Sequence, residues 1–302
     1  MAASRGKIIL LGEHAVVYGT GAIAAGITRG AEASARLARE TTLQLDGHPI
    51  ELREGELGRA VTALLQHLGA PAMELEATLH IPAGSGLGAS AALGVALARA
   101  VAGALGVRGG EEAQDPAVVR DAVEAWERVF HGNPSGIDAA ASAMGGCLYF
   151  KRGLPPEPLT VGRTLHLAVA VAGPPASTSR MVEGVAKLRS QHPEAVDQTL
   201  DAIGSLVASG RRCLQEGDLS GLGHLLDMNQ RLLASLMVST DELEAACRVA
   251  RGTGALGAKL TGSGGGGCVL ALSDGPAEAI VDAWQSRGLR AFATTIEATP
   301  SP

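Results

Sequence analysis

Aromatic residues are scarce in this chain, since phenylalanine, tryptophan and tyrosine together make up only 2% of its 302 residues. Proteins that bind single-stranded nucleic acid without sequence preference stack the bases on aromatic side chains, and this chain has little from which to build such a platform. The formal net charge of -6 also disfavours a polyanion as partner. We therefore expect no nucleic acid partner.

Long hydrophobic runs are missing as well. A membrane-spanning helix needs roughly 20 consecutive apolar residues, and the best candidate, residues 89–105, is interrupted by two glycines and by Arg99. The opening segment MAASRGKIILLGEH turns polar too early for a secretory signal. The four cysteines are widely separated and lack metal-ligand spacing, which suits reduced thiols. The sequence predicts a cytoplasmic protein with no membrane partner.

The length of the chain and its hydrophobic fraction of 46% predict two globular domains. Strand-like and helix-like segments are mixed, which indicates the α+β class. The predicted strands are residues 7–11, 31–37, 42–45, 74–80, 165–172, 268–272 and 290–295. The predicted helices are residues 90–105, 116–130, 180–190, 193–216, 219–236 and 241–252, with a further helix beginning near residue 276. The proline-rich passage 153–158 is the candidate linker, which gives domains of residues 1–157 and 158–302.

The segment PAGSGLGASAA, residues 82–92, places three alternate glycines directly before a run of helix-forming residues. Gly84, Gly86 and Gly88 permit backbone angles closed to other residues, so successive amides can converge on an anion. The helix that follows adds unpaired N–H groups and the positive end of its dipole. This pattern indicates a phosphate-binding loop, although neither the Walker loop nor GxGxxG fits it. A flexible loop at a helix entry remains the alternative.

Two further segments accompany this loop. Residues 6–19, GKIILLGEHAVVYG, run from an apolar strand into a polar cluster, and residues 259–272, KLTGSGGGGCVLAL, form a second glycine loop between strand-like segments. In this order, the three segments resemble the signature motifs of the GHMP kinases. That resemblance implies an S5-like N-terminal, ATP-binding domain and a ferredoxin-like C-terminal domain, with the active site in the cleft between them.

Within this superfamily, the first segment resembles most the KxILxGEHAVVxG motif of the mevalonate kinase family. Residues 127–142, ERVFHGNPSGIDAAAS, and residues 177–188, STSRMVEGVAKL, resemble two more segments of that family. The resemblance implies ATP- and Mg2+-dependent phosphorylation of the 5-hydroxyl of mevalonate to give 5-phosphomevalonate. A homodimer is expected by family analogy.

The resemblance also implies roles for individual residues. The ATP phosphates would lie on the first glycine loop, which consists of Pro82, Ala83, Gly84, Ser85, Gly86, Leu87, Gly88, Ala89 and Ser90. Ser90 and Glu127 match the family's Mg2+ ligands. Asp138 matches the catalytic aspartate, and Lys7 matches the lysine beside it. Without the resemblance, Asp138 would be interpreted as a helix cap.

On the acceptor side, His14 and Thr178 match residues that line the substrate pocket or lie near the transferred phosphate. Glu13 is a candidate substrate residue or, alternatively, a brace for its loop. Further candidates come from the second glycine loop, namely Gly262, Gly264 and Gly265.

The sequence departs from the family pattern at two positions. Ala89 replaces a serine of the phosphate loop, and Met237 replaces the glycine of an LGVS segment. A larger side chain at residue 237 is expected to narrow the acceptor pocket or to shift a helix end. Two alternatives stay open, a GHMP kinase for another acceptor, such as phosphomevalonate or a sugar, and a nucleotide-binding sensor without catalysis. The joint presence of Lys7, Glu127 and Asp138 favours catalysis over the sensor.

Overall fold

The computed structural model describes residues 1–82, 84–106, 116–131, 135–174 and 176–299. Two compact units divide the chain. The first contains the described parts of residues 1–7, 29–83 and 88–145, and the second contains those of residues 8–28, 84–87 and 146–302. The two units are therefore interleaved along the chain, and the domain boundary at residue 157 stays a prediction.

Helices and strands are mixed throughout, which confirms the predicted α+β class. The strands are β1 (Ala2–Ala3), β2 (Gly6–Leu11), β3 (Ala22–Ile27), β4 (Ala31–Leu37), β5 (Thr42–Leu45), β6 (His48–Ile50), β7 (Met73–Leu79), β8 (Gly146–Phe150), β9 (Glu157–Leu159), β10 (Leu165–Gly173), β11 (Gly257–Thr261), β12 (Gly267–Ser273) and β13 (Arg290–Ile296). The helices are α1 (Gly55–His67), α2 (Ala89–Gly106), α3 (Pro116–His131), α4 (Ile137–Met144), α5 (Thr178–Gln191), α6 (Pro193–Glu216), α7 (Leu219–Ser235), α8 (Asp241–Gly252) and α9 (Glu278–Gln285).

The first unit contains a five-stranded sheet in the order β1-β4-β7-β5-β6. Strands β5 and β6 form a hairpin whose two turn residues, Asp46 and Gly47, have φ angles of 52° and 77°. Positive φ at both positions is the property of a type I′ turn, whose twist matches that of the flanking strands. Because the turn fixes the register, Leu43 pairs with Ile50 and lies buried in the core.

Helix α2 is the central helix of the first unit and packs against β4 and α3. By length and composition alone it is apolar enough to cross a membrane, and it is the one such helix among the residues that the structure describes. Core helices of soluble proteins pass the same test. Since a continuous stretch from Ala91 to Ala98 is buried, we interpret α2 as a core helix.

The second unit contains two four-stranded sheets, in the orders β2-β3-β8-β9 and β11-β12-β10-β13. In the latter sheet β10 is paired on both sides in antiparallel fashion, so that Val169 lies opposite Leu270 and Phe292. All three side chains are buried, together with Trp284 of α9, whose indole N–H donates to the carbonyl of Ala246. The core of this unit is almost entirely aliphatic, as the scarcity of aromatics predicts.

Most of the predicted elements are confirmed. Strands β4 and β5 and helices α6 and α8 have the predicted bounds, and other predicted elements differ by one or two residues at their ends. The prediction omitted several elements, among them α1, α4, β3 and β8. The candidate linker, residues 153–158, leads from β8 into β9, and these strands pair with each other within the second unit. This passage is therefore a hairpin connection.

A close approach between two backbones joins α7 to β11. A methyl group added at Gly257 would lie 2.0 Å from the carbonyl oxygen of Gly223, and one added at Gly223 would lie 2.5 Å from the carbonyl oxygen of Leu256. Real side-chain carbons do not approach backbone atoms this closely, so the contact requires glycine on both sides.

We therefore expect Gly257→Ala to lower the free energy of unfolding by about 1–3 kcal/mol, because α7 must move away from the sheet. Denaturant titration measures the effect. The matched control is Gly184→Ala, since a methyl group at this interior position of α5 meets no atom within 4 Å. The control should raise stability by about 0.5–1 kcal/mol. A Gly257→Ala variant as stable as the unaltered protein would contradict the packing argument.

Candidate active site

A buried lysine and a partly exposed carboxylate form the centre of the candidate site in the first unit. Lys7 Nζ lies 2.9 Å from Asp138 Oδ1, and the two side chains are 5% and 34% exposed. Lys7 stands near the start of β2, and Asp138 lies in the first turn of α4. Two residues 131 positions apart, 138 minus 7, are thus brought into an ion pair with one side open to solvent.

The structure also bears on the interpretation of Asp138 as a helix cap. The residue at the cap position of α4 is Gly136, with φ 85°, and no side chain caps the helix by a hydrogen bond. Asp138 follows two positions later, where a carboxylate benefits from the positive end of the helix dipole. Its side chain is directed to Lys7, so capping does not explain this aspartate.

A second polar pair of the first unit joins α2 and α3. Ser90 Oγ donates a hydrogen bond of 2.6 Å to Glu127 Oε1, and the glutamate is buried. The indole N–H of Trp126 lies 3.1 Å from the carbonyl oxygen of Ser90 and 3.2 Å from its Oγ. The indole comes this near because Gly94 lacks a side chain, since an added methyl group would lie 2.8 Å from the ring. A hydroxyl oxygen and a carboxylate oxygen are thereby held together at the end of the first glycine loop.

In the first glycine loop the three alternate glycines all adopt positive φ, with 70° at Gly84, 80° at Gly86 and 72° at Gly88. These are the conformations that the sequence argument requires of them. Gly88 also lies against Lys7, because a methyl group added there would be 3.2 Å from Lys7 Cβ. Ala83 was predicted to belong to the phosphate-binding loop, and it lies outside the described residues.

The two glycine loops lie side by side within the second unit, to which residues 84–87 belong. A methyl group added at Gly262 would lie 3.6 Å from the carbonyl oxygen of Gly86, and one added at Gly267 would lie 3.2 Å from that of Ser85. Gly262, Gly264 and Gly265 have φ angles of 94°, 75° and 72°. Two glycine-rich backbone segments therefore lie against each other with closely spaced peptide groups.

Two candidate substrate-binding residues of the second unit, His14 and Thr178, both contact Ser263. His14 Nε2 lies 2.8 Å from the carbonyl oxygen of Ser263, and Thr178 Oγ1 donates to Ser263 Oγ over 3.4 Å. A carbonyl only accepts, so Nε2 carries the proton. Burial lowers the pKa of His14, against the hydrogen bond to Ser263 and the charge of Glu13, which both raise it. In the neutral ring Nδ1 is an acceptor, and it has no hydrogen-bond partner among the described residues.

Glu13 is buried and already bonded on both oxygens. Its Oε1 accepts from Lys259 Nζ, and its Oε2 accepts from Asn229 Nδ2 over 2.9 Å. The side chains of both Glu13 and Lys259 are inaccessible to solvent. Of the two roles expected for Glu13, this geometry favours the brace, and substrate contact stays a prediction.

Two family models match the chain. The model of the GHMP kinases N terminal domain matches residues 56–146, and the model of the GHMP kinases C terminal matches residues 211–289. The protein named mevalonate kinase of Pyrococcus horikoshii is 35% identical, over 91% of this chain and 89% of its own length. The chain belongs to the GHMP kinases.

Other relatives of this GHMP kinase agree with the assignment. The mevalonate kinase of Methanothermobacter thermautotrophicus is 34% identical over 93% of both chains. The crystal structure of L. major mevalonate kinase in complex with R-mevalonate has a TM-score of 0.89 at 30% identity, and covers 99% of this chain and 96% of that one. The structure of the Methanococcus jannaschii mevalonate kinase, at 23% identity and a TM-score of 0.82 over 99% and 98% of the two chains, supports the fold alone. The predicted fold is thus confirmed.

Sequence reasoning missed three residues of the second unit, Lys259, Asn229 and Ser263. Lys259 and Ser263 stand inside the segment that carries the second glycine loop, but no role was given to either. A lysine between the apolar residues Ala258 and Leu260 is a detectable signal, because a buried ammonium group requires partners. Asn229 gives no such signal, since an asparagine in a helix is ordinary.

The unusual methionine of the LMVS segment occupies a strained position in this kinase. Met237 has φ 60°, in the left-handed region that favours glycine, and its side chain is 76% exposed. It lines a groove of about 290 Å³ beside α5, together with Met181 and Lys187. The next residue, Val238, accepts a hydrogen bond of 2.8 Å from the amide of Gly265. The left-handed backbone explains a glycine at this position, while narrowing of the acceptor pocket stays a prediction.

We expect Met237→Gly to raise the free energy of unfolding by about 0.5–1 kcal/mol, because glycine removes the cost of positive φ but is more flexible in the unfolded chain. Met237→Ala is the matched control, since it removes the same exposed side chain and keeps the strain. Denaturant titration of both variants tests the argument. Equal stabilisation by alanine would show that the side chain, and not the backbone, is the source of the effect.

Proposed function

We propose that this chain transfers the γ-phosphoryl group of ATP to the primary 5-hydroxyl of mevalonate and releases 5-phosphomevalonate and ADP. The observation that carries the proposal is the Lys7–Asp138 pair, in which an accessible carboxylate is held by a buried ammonium group. The names of the relatives supply the acceptor. The L. major complex with R-mevalonate supports the same acceptor.

Phosphoryl transfer needs a group that orients the attacking hydroxyl and positive charge near the transferred phosphate. In the proposed mechanism Asp138 accepts the hydroxyl proton as the oxygen attacks the γ-phosphorus and the bond to the bridging oxygen of ADP breaks. Lys7 keeps the carboxylate oriented and offsets the negative charge of the transferred group. The contact between Gly88 and Lys7 supports this role, since the last glycine of the phosphate loop lies against the Lys7 side chain within the first unit.

Ser90 and Glu127 fit a Mg2+ ion. A hydroxyl and a carboxylate oxygen 2.6 Å apart are hard ligands of the kind that Mg2+ prefers. Within the residues that the structure describes, no cluster of three or more His, Cys, Asp or Glu could hold a metal. This fits an ion that takes its other ligands from water and nucleotide phosphates. When bound, Mg2+ would neutralise charge on the β- and γ-phosphates.

The second unit carries the other residues to which the family resemblance assigns a role. Its two adjacent glycine loops present peptide groups to the ATP phosphates, and His14 and Thr178 are the proposed acceptor contacts. A phosphorylated or sugar acceptor is not favoured, because the relatives described above are named mevalonate kinases. A sensor without catalysis has no need of the Lys7–Asp138 pair.

A cytoplasmic location and a homodimer belong to the same proposal. The cysteines are free thiols, and burial raises the pKa of both Cys147 and Cys247 to about 12, which keeps them protonated and unreactive. Such thiols suit a reducing compartment. The homodimer rests on the family resemblance alone.

We expect Asp138→Asn to lower the turnover number about 10²- to 10⁴-fold, because the proton acceptor is lost while the side chain keeps its shape. The KM for ATP should change little. A coupled assay of ADP release with mevalonate, with product mass confirmed, measures both constants. Asp121→Asn, an exposed change on α3, is the control and should be neutral. Normal turnover in Asp138→Asn would remove this aspartate from the mechanism.

Ser90→Ala and Glu127→Gln should each raise the Mg2+ concentration required for half-maximal activity about tenfold or more, because each removes a hard oxygen ligand. A Mg2+ titration at saturating nucleotide and mevalonate measures the shift. Glu124→Gln is the control, since Glu124 lies on the same helix and its exposed carboxylate pairs with Arg128 on the protein surface. If the requirement for Mg2+ is the same in all variants, the ligand assignment is wrong.

A further inference from the structure

His14, a proposed acceptor contact, lies at the centre of a strained turn. Its φ and ψ angles are 60° and −48°, and the amide of Ala15 donates to the carbonyl of Glu13 over 2.7 Å. A hydrogen bond between residues two apart around a positive φ is the rare form of the γ-turn. A non-glycine residue keeps such a conformation only where the surrounding structure imposes it.

The residue before His14 is fixed by the buried ammonium group of Lys259. This group donates to Glu13 Oε1, to the carbonyl of Leu260 and to that of Ile9, the last over 3.4 Å. An ammonium group has three donors, so all of them are occupied within the protein. Lys259 therefore has no donor left for a ligand, and it acts on the site only through what it holds.

The same network also fixes Ser263, whose carbonyl oxygen is the partner of His14 Nε2. Thr261, two residues after Lys259, accepts from the amide of Ile9 over 2.8 Å and donates to its carbonyl over 3.2 Å. The chain then passes through Gly262 to Ser263, whose carbonyl accepts from His14 Nε2. Both residues of the His14–Ser263 contact are thus tied to the backbone of Ile9 in β2, one through the Glu13–Lys259 pair and one through Thr261.

We propose that Lys259, Glu13 and Asn229 form a positioning clamp that holds the strained turn at His14 and fixes the imidazole with Nε2 protonated and Nδ1 as an acceptor. The proposal rests on the proposed function in one respect, since it takes mevalonate as the ligand that the ring contacts. An acceptor nitrogen binds a hydroxyl group and not a carboxylate. The clamp thereby makes the ring selective for a hydroxyl of the substrate.

The test removes the clamp without leaving a buried charge. Loss of one partner alone would strand the other charge, whereas replacement of both members of a buried pair by neutral groups of similar size is often tolerated. The variant is therefore the double substitution Glu13→Gln with Lys259→Met. The matched control is Asp227→Asn with Arg251→Met, a second ion pair of the same unit, which binds the backbone of Ala258 from α7 and α8.

Two measurements are made on the whole chain. Long-range 1H–15N correlation spectra report the His14 tautomer, with the signals assigned by comparison with His14→Gln. Steady-state kinetics report the KM values for mevalonate and for ATP. We expect the clamp variant to show mixed His14 tautomers and a mevalonate KM raised about tenfold or more, with the ATP KM within twofold. The control variant should show a single Nε2-protonated tautomer of His14, and its KM values for mevalonate and ATP should equal those of the unaltered protein.

A folded clamp variant with an unchanged tautomer and an unchanged mevalonate KM would overturn the proposal. So would equal rises of both KM values, because a purely structural defect does not select one substrate. If the double variant does not fold, the same two measurements are made on Asn229→Leu, which removes one hydrogen bond to Glu13 and keeps the ion pair. An unchanged His14 tautomer and an unchanged mevalonate KM in this variant would overturn the proposal. If the unaltered chain does not phosphorylate mevalonate, the proposed function fails, while the tautomer comparison still decides the clamp.

Discussion

An ammonium group buried in an aliphatic sheet must be surrounded by oxygen acceptors, and this requirement organises the second unit. Lys259 donates to the backbone of β2, to the backbone of its own strand β11 and to Glu13 in the loop after β2, and Glu13 is bonded in turn to Asn229 of α7. Burial lowers the pKa of Lys259, and the nearby carboxylate of Glu13 opposes that shift. The charge therefore persists only while Glu13 stays in place, which makes the position of the Glu13–His14 loop a condition for burying the lysine.

Secondary structure was largely predictable because helix-start and turn-forming residues mark the ends of many elements. Pro193 begins α6, and the Asp46-Gly47 pair demands the turn between β5 and β6. Strand β3 escaped prediction because AIAAGI is built from alanine and glycine, which have little strand preference, and burial on the sheet decides its conformation.

The residues of the candidate site were predictable only where they belong to a recognisable sequence motif. Glycine spacing indicated positive φ at Gly84, Gly86 and Gly88, and the resemblance to a family selected Asp138 over the ten other aspartates. Nothing local connects Glu13 with Lys259, which stand 246 positions apart, since this pairing arises only when the sheets form. The reason for a glycine at residue 237 in relatives also became clear only from the backbone angle of Met237.

The interleaving of the two units has a consequence for synthesis on the ribosome. Every residue of the first unit precedes residue 146, so that unit can complete its core while more than half of the chain is still to be made. Residues 8–28 leave the ribosome early, yet they belong to the second unit. The charge of Glu13 can be buried only after Lys259 has been synthesised, because the two form an ion pair. At the usual elongation rate of about 5–20 residues per second, this delay lasts on the order of 10–50 s. The segment that carries the proposed acceptor residue is thus among the first parts of the nascent chain to appear and the last to reach its native surroundings.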